Sequence, residues 1–262
     1  LEELPEFAQV AFAFCRDWTA GQETFTQQTS GSTGAPKLQI LSRTQMEASA
    51  AATGAFFGTT TREHLLCCLN PSFIAGKMML VRAMVWNCPI TLVEPSANPL
   101  LGLEEQFTFV ALVPLQVEAG LAEEKSRKLL QSIPHVLIGG AALPHKIQQG
   151  LVQQGIRAWQ SFGMTETVSH IALAPIEEGE LVYQALPGVA IGINEQDCLW
   201  IQSPMSGSEK IQTNDTIELR SKNTFAWIGR TDFVVNSGGI KLFPEQLERR
   251  IAPLLEETRP GC

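Results

Sequence analysis

Two rhythms divide this chain near residue 168. Before that point, short β-prone runs alternate with segments whose apolar residues recur at helical spacing. Glu6–Trp18 is such a segment and stops near Gly21, Thr24–Gln28 is a β-prone run, and Leu38–Leu41 is another. Ala-rich Gln45–Phe57 reads as a helix ended by Gly58. His64–Leu69 and Ile90–Val93 read as strands flanking a helix through Met78–Trp86. Phe107–Leu112 and Val136–Ile138 are strand-like around a helical Leu115–Ser132, and helix Leu143–Gln154 leads to strand Ile156–Gln160. Strands alternating with long helices predict βαβ units, hence an α/β fold whose mainly parallel sheet is covered on both faces. From Val168 the pieces are Val168–Leu173, Gly188–Ile193, Cys198–Ile201, Thr216–Leu219 and Phe225–Ile228, with turns between them. They predict a smaller β-rich subdomain packed beside the α/β part. A last helix is expected from Pro244, which suits the first helical position, with a break at Pro253.

Composition narrows the function. Of 262 residues, 44% are hydrophobic, ample for a core and unlike a disordered chain. With 19 Lys+Arg against 27 Asp+Glu the net charge is −8, which argues against a general nucleic-acid binder. The best apolar stretch, Phe73–Trp86, is broken by Lys77 and Arg82 and does not predict a membrane span. The residues Leu1–Glu6 lack the basic lead of a secretory signal. Six cysteines fit neither C-x-x-C pairing nor a zinc spacing, and adjacent Cys67 and Cys68 on a strand would face opposite sides of a core. A cytoplasmic protein working on small molecules is expected.

The densest chemistry lies in Thr29-Ser30-Gly31-Ser32-Thr33-Gly34-Ala35-Pro36-Lys37. Glycines let backbone N–H groups close on an anion, hydroxyls add donors, and the lysine adds charge. A phosphate-gripping loop is expected, against the plainer alternative of a solvated hairpin turn. It is not a Walker A loop: Pro36 stands where the second glycine belongs, and Leu38 where Ser or Thr should hold magnesium. Three other segments stand at strand ends or turns. They are Ser161-Phe162-Gly163-Met164-Thr165-Glu166-Thr167, Ile138-Gly139-Gly140-Ala141, and Gly229-Arg230-Thr231-Asp232 followed by Asn236-Ser237-Gly238-Gly239. Singly, these read as a turn, a helix entry and a hairpin.

Together and in this order, the four segments resemble the adenylate-forming superfamily of acyl-CoA synthetases, aryl-acid ligases and peptide-synthetase adenylation domains, over about Gln28–Leu247. The resemblance implies a large N-terminal domain over residues 1–231, with the α/β part to about 167 and the β-rich part after it. Residues 232–262 would be the hinge and the start of a small C-terminal domain. It also implies roles. Thr29, Ser30, Gly31, Ser32, Thr33, Gly34 and Lys37 would steady the ATP triphosphate, with Lys37 catalytic. Gly139, Gly140 and Ala141 would lie along the adenine. Phe162 and Gly163 would line the acyl and adenine pockets beside Met164, Thr165 would approach the α-phosphate, and Glu166 would hold Mg2+, the last two counted as catalytic. Asp215 and Arg230 would hold the ribose, and Asp232 would be the hinge. ATP, Mg2+ and CoA as co-substrate are the implied cofactors, and a homodimer is compatible with the family.

Within the superfamily, the stretch Asn70–Arg82 is most similar to the o-succinylbenzoate–CoA ligases of menaquinone biosynthesis. That substrate carries two carboxylates, one to be activated and one needing a cation. Arg82 is the expected partner and Lys77 a second candidate, within a pocket expected to include Ser72, Phe73, Gly76, Ser161 and Gly163. An arginine grips a carboxylate through two parallel hydrogen bonds. The plainer alternative places both cations on the water-facing side of a helix, about 140° apart. Ile74 follows Phe73 where the family commonly has a histidine, Leu38 replaces a frequent glycine, and Asn214 replaces the glycine before Asp215. The part ahead of Thr29 is shorter than usual, and the family's C-terminal lysine has no counterpart, so a fragment of a longer ligase is expected. Another aryl- or acyl-CoA ligase, or a non-catalytic adenylate-binding module, are the alternatives. The presence of Thr165, Glu166, Asp215 and Arg230 argues against the last.

Overall fold

The structure is a computed structural model describing residues 4–28, 38–207, 209–237, 240–248, 251 and 254. Helix α1 (Glu6–Thr19) precedes a hairpin of β1 (Thr24–Gln28) and β2 (Leu38–Ser42), paired in register from Thr24↔Ser42 to Gln28↔Leu38. Ser42 then caps α2 (Arg43–Phe57): its hydroxyl accepts from the Gln45 N–H while the Gln45 side chain accepts from the Ser42 N–H. This capping box satisfies two donors that a helix start would otherwise leave unpaired.

Strand β3 (Leu65–Cys67), helix α3 (Ile74–Trp86) and strand β4 (Ile90–Leu92) form the first crossover unit. The chain then returns to the other side of β3 as β5 (Phe109–Leu112), followed by β6 (His135–Ile138) and β7 (Ala158–Gly163), all parallel. Helix α6 (His145–Gln153) bridges β6 and β7. The single helix expected over Leu115–Ser132 is two, α4 (Pro114–Ala122) and α5 (Glu124–Ser132). Glu123 between them is extended, at φ −109° and ψ 129°, and its carboxylate accepts from the Ser126 N–H at 2.7 Å. A residue that caps a new helix cannot continue the old one. Helix α3 starts at Ile74, four residues earlier than expected, because its first turn lies on the β3 exit: a Cβ on Gly76 would stand 2.5 Å from the Asn70 carbonyl oxygen.

The β-rich part does not form a second sheet. Strands β8 (His170–Pro175), β9 (Val182–Ala185), β10 (Ala190–Ile193), β11 (Cys198–Gln202), β12 (Ile211–Ser221) and β13 (Thr224–Arg230) extend the parallel sheet by antiparallel pairing. The result is one 11-stranded sheet in the order β10-β11-β12-β13-β9-β8-β7-β6-β5-β3-β4. Strand β9 was not apparent in the sequence: its exposed-buried alternation over four residues, with Val182 and Gln184 outside, gives little apolar signal. A small hairpin of β14 (Val235–Ser237) and β15 (Ile240–Leu242) follows, and the chain is helical over 244–248, starting at Pro244 as expected.

Alternation along the parallel strands sorts the core into two faces. Leu65, Cys67, Phe109, Ala111 and Leu137 pack with Met79, Ala83 and Trp86 of α3, in a cluster that runs on to Leu173, Tyr183, Leu199 and Phe225 of the antiparallel strands. Leu66, Cys68, Val110, Leu112, Val136 and Ile138 pack against Val117, Leu130, Ile147 and Leu151 of α4, α5 and α6. A third cluster joins α1, the hairpin, α2 and the outer side of α3 through Phe14, Trp18, Phe25, Leu41, Met46 and Met78. Cys67 and Cys68 fall in opposite clusters, and the cysteines Cys15, Cys67, Cys68, Cys88 and Cys198 are free. Among the described residues no helix is long and apolar enough to cross a membrane.

Candidate functional site

In an open α/β sheet a crevice forms where successive crossovers leave a strand in opposite directions, at the carboxyl ends. Here that place is between β3 and β5, because the chain moves from β3 to β4 on one side and to β5 on the other. The residues leaving these ends include Asn70–Phe73 after β3, Gly139–Ala141 after β6, and Gly163–Thr167 after β7. The glycines are where backbones crowd. A Cβ on Gly139 would run into the Ser161 side chain, and one on Gly163 into the backbone of Ser169 and His170. Gln160, buried on β7, ties the two exits by donating its Nε2–H to the Ala141 carbonyl at 3.0 Å.

After Gly163 the chain makes a single 3-10 turn, Thr165–Thr167, with Glu166 exposed on it. Thr167 organises that turn: its hydroxyl lies 2.9 Å from the Met164 carbonyl and 2.7 Å from the Ser169 carbonyl, and accepts from the Met164 N–H at 3.2 Å. Val168 follows with φ 64° and ψ −52°, and the Ser169 N–H donates to the Thr167 carbonyl at 2.7 Å. This is the strained three-residue turn that L-residues rarely adopt. It is held by burial, since Val168 is fully enclosed in the third core cluster.

The hairpin reaches the same region through Gln27. Its Nε2–H donates to the Ser72 carbonyl at 3.1 Å, and its Oε1 accepts from Lys77 Nζ at 2.9 Å. Lys77 also lies over the Phe14 ring, and burial lowers its pKa. Phe73, by contrast, is 63% exposed at the start of α3. Lys77 and Arg82 are therefore not a water-facing pair. Arg82 is 1% exposed, with Nη1 donating to Met79 Sδ at 3.5 Å, Nη2 to Ser169 Oγ at 3.3 Å, and its guanidinium 5.9 Å from the Phe109 ring centre. It makes no ion pair among the described residues, its Nε has no partner, and burial lowers its pKa to about 10.

A second group lies on β12 and β13, where Asp215 and Arg230 are cross-strand partners. The Asp215 carboxylate is buried and accepts from Trp227 Nε1 at 2.9 Å, while its N–H donates to Thr213 Oγ1 at 3.1 Å. Burial raises its pKa, opposed by the Trp227 hydrogen bond and the Arg230 charge. Arg230 turns to Asp232, with Nη2 and Nε at 2.8 and 3.3 Å from Oδ2, and this bond raises the arginine's pKa. Asn214 donates to the other Asp232 oxygen at 3.1 Å. Two strands therefore bring together one buried carboxylate and a charged cluster beside it.

Thr29–Lys37, with the expected phosphate loop, lies outside the described residues, as do Gly238 and Gly239. Phe162, expected at the acyl and adenine pockets, packs edge-on against Tyr183 and Phe225 with ring centres 5.6 and 5.3 Å away. Gln27, Thr167, Ser169 and Trp227 were not singled out in the sequence. A glutamine at an inward-facing position of a β-prone run and a histidine next to Ser169 in an otherwise apolar strand were the available signals. Among the described residues no three His, Cys, Asp or Glu side chains gather as a metal site.

Residues 17–198, well over half of the chain, match the family model described as AMP-binding enzyme. The 2-succinylbenzoate–CoA ligase of Salmonella typhimurium is 27% identical over 94% of this chain and 56% of its own length. The 2-succinylbenzoate–CoA ligase of Escherichia coli is 26% identical over 86% of this chain and 51% of its own. The chain thus spans about half the length of these curated relatives. Among solved structures, an acyl-CoA synthetase (AMP-forming)/AMP-acid ligase II-like protein from Dyadobacter fermentans superposes with a TM-score of 0.82 at 40% identity, over 98% of this chain and 74% of that one. The o-succinylbenzoate coenzyme A synthetase of Bacillus subtilis, in complex with ATP and magnesium, shares the fold with a TM-score of 0.75 at 21% identity, over 86% of this chain and 53% of its own. By the extent of the family match and the likeness to the Dyadobacter protein, this chain belongs to the AMP-binding enzyme family, the adenylate-forming acyl-CoA ligases.

Proposed function

We propose that this chain belongs to a cytoplasmic ligase that activates o-succinylbenzoate with ATP and passes the acyl group to CoA. In the first half-reaction a substrate carboxylate oxygen attacks the α-phosphorus, the bond to pyrophosphate breaks, and acyl-AMP forms. In the second, the CoA thiol loses its proton to solvent, sulfur attacks the acyl carbonyl, and AMP leaves with the oxygen. The loop Thr29–Lys37 would steady the triphosphate, Gly139, Gly140 and Ala141 would lie along the adenine, and Asp215 and Arg230 would hold the ribose. Asp215 suits a ribose because one carboxylate accepts from two vicinal hydroxyls. Thr165 would meet the α-phosphate, and Asp232 would be the hinge.

Magnesium fits Glu166. This cation takes one or two carboxylates and completes its shell with phosphate oxygens and water. Glu166 is an exposed carboxylate on a turn at a strand's carboxyl end, with no ion pair among the described residues. The ion would neutralise charge gathering on the phosphoryl oxygens.

The observation that carries the substrate reading is Arg82, a buried guanidinium without a carboxylate partner among the described residues. Burying an unpaired charge is costly, and a substrate's second carboxylate would supply the missing partner. Pyrophosphate exchange with o-succinylbenzoate and with benzoate tests this. Arg82→Ala is expected to raise KM for the dicarboxylate about 30-fold, the worth of a charge-assisted hydrogen bond of roughly 2 kcal/mol. KM for benzoate should stay nearly unchanged. Equal effects on both acids would remove the substrate assignment, and heat of ATP–Mg2+ binding without any exchange would instead assign a binding module.

A further inference from the structure

We propose that His170, with Thr53 behind it, is a positioning residue that fixes the Arg82 guanidinium through Ser169. The inference rests on the reading of Arg82 as the partner of a substrate carboxylate. His170 opens β8 inside the molecule, 4% exposed, and both ring nitrogens are engaged. Nε2 stands 3.0 Å from Thr53 Oγ1 and Nδ1 stands 3.3 Å from Ser169 Oγ. Thr53 is fully buried on α2, and its hydroxyl lies 2.9 Å from the Ser49 carbonyl.

The protons in this row follow from counting donors. Thr53 has one hydroxyl proton, and the Ser49 carbonyl can only accept it. Thr53 Oγ1 must then accept from His170, so Nε2 carries the ring proton and Nδ1 is bare. The Ser169 hydroxyl donates to bare Nδ1, which turns its lone pairs toward Arg82 Nη2. Every bond thus points one way: Arg82 to Ser169 to His170, and on to Thr53 and the Ser49 carbonyl. A long flexible side chain gains most from such a fixed end, since burying it ordered costs rotamer freedom.

Backbone geometry places the middle of the row. Ser169 sits directly after the strained Val168 turn, and only Ser169 of these residues is partly exposed. The imidazole stays neutral because burial and the neighbouring Arg82 charge both hold its pKa well below the usual histidine range. The row needs a neutral ring, because a proton on Nδ1 would remove the acceptor for the Ser169 hydroxyl proton and with it the bond that orients the hydroxyl toward Arg82.

Two measurements decide the matter. Nitrogen-15 spectra of the full chain should show one histidine fixed as the Nε2–H tautomer and slowed hydrogen exchange at the Arg82 Nη groups. Both features should be lost in Thr53→Val and kept in Thr53→Ser. In pyrophosphate exchange, Thr53→Val and His170→Phe are expected to raise KM for o-succinylbenzoate about tenfold, the loss of one well-placed hydrogen bond. KM for benzoate and kcat should move less than about twofold, and Thr53→Ser should match the wild type. A structural role alone would change both acids together, and Thr53→Ser and Thr53→Val behaving alike would overturn the positioning role, as would an Nδ1–H tautomer. Wild-type exchange indifferent to the second carboxylate would sink the substrate assignment, while the tautomer and Arg82 signals would still decide the positioning role.

Discussion

Asp215 carries a cost that its proposed role explains. Burial raises its pKa, so the folded chain holds this proton more tightly than the unfolded chain does. Stability from this group is greatest below the unfolded carboxyl value of 3.8 and falls as pH rises through the folded value. Asp215→Asn keeps an oxygen for Trp227 Nε1 and removes the titration. The variant should melt higher than wild type at neutral pH, with the gap closing as the pH falls toward 3.8. Its affinity for ATP should drop by about tenfold, because a ribose hydroxyl bonds a charged acceptor more strongly than an amide. Calorimetric melting across pH, with titration of ATP, checks both halves, and a lower melting temperature at neutral pH would contradict the burial cost. Arg82 is a second case of the same kind: the fold encloses a charge that nothing described neutralises.

At the scale of elements, glycines at strand exits control how closely helices and turns approach. Gly76→Ala would force the first turn of α3 away from the Asn70 and Leu69 carbonyls, and Gly163→Ala would collide with the β8 backbone. Backbone atoms cannot yield as a side-chain tip can, so each is expected to cost about 2–4 kcal/mol or prevent folding. Gly58→Ala, at φ 67° but with open space around it, should cost only about 1 kcal/mol. Urea unfolding of the three variants ranks them, and equal losses would show that backbone crowding is not what matters. The same elements show what the sequence made legible. Helices α1 and α2 and the parallel strands carried clear signals (apolar residues at helical spacing in α1, an Ala-rich run ended by Gly58 in α2, short apolar runs in the strands), and their extents fall within a few residues of expectation. The break at Glu123 and strand β9 did not, because one depends on a side chain capping three residues ahead and the other on four residues half in water. The motif segments Gly139–Ala141 and Gly163–Glu166 were legible as strand exits. His170 and Thr53 were not, since 117 residues separate partners whose meeting depends on the finished sheet.

For the whole molecule, the continuous sheet changes the expected unfolding. A separate β-rich subdomain would melt by itself, but here one core cluster runs from Leu65 and Phe109 to Leu199 and Phe225. Residues that share a core and a sheet lose their contacts together. Urea transitions followed by tryptophan fluorescence and by backbone circular dichroism should therefore coincide, with Trp86 and Trp159 reporting one half and Trp200 and Trp227 the other. Two separated midpoints would show that the halves are independent. The hairpin of β1 and β2 has a different consequence. Its ladder stays in register up to Gln28↔Leu38, so the two ends of the hydroxyl-rich segment leave from points about 5 Å apart. Gln27 is bonded in turn to the β3 exit and to Lys77. If Thr29–Lys37 is the phosphate loop proposed above, a substitution in the hairpin stem is expected to shift the two points from which that loop departs, and so to change ATP affinity without altering any residue that would touch the phosphate.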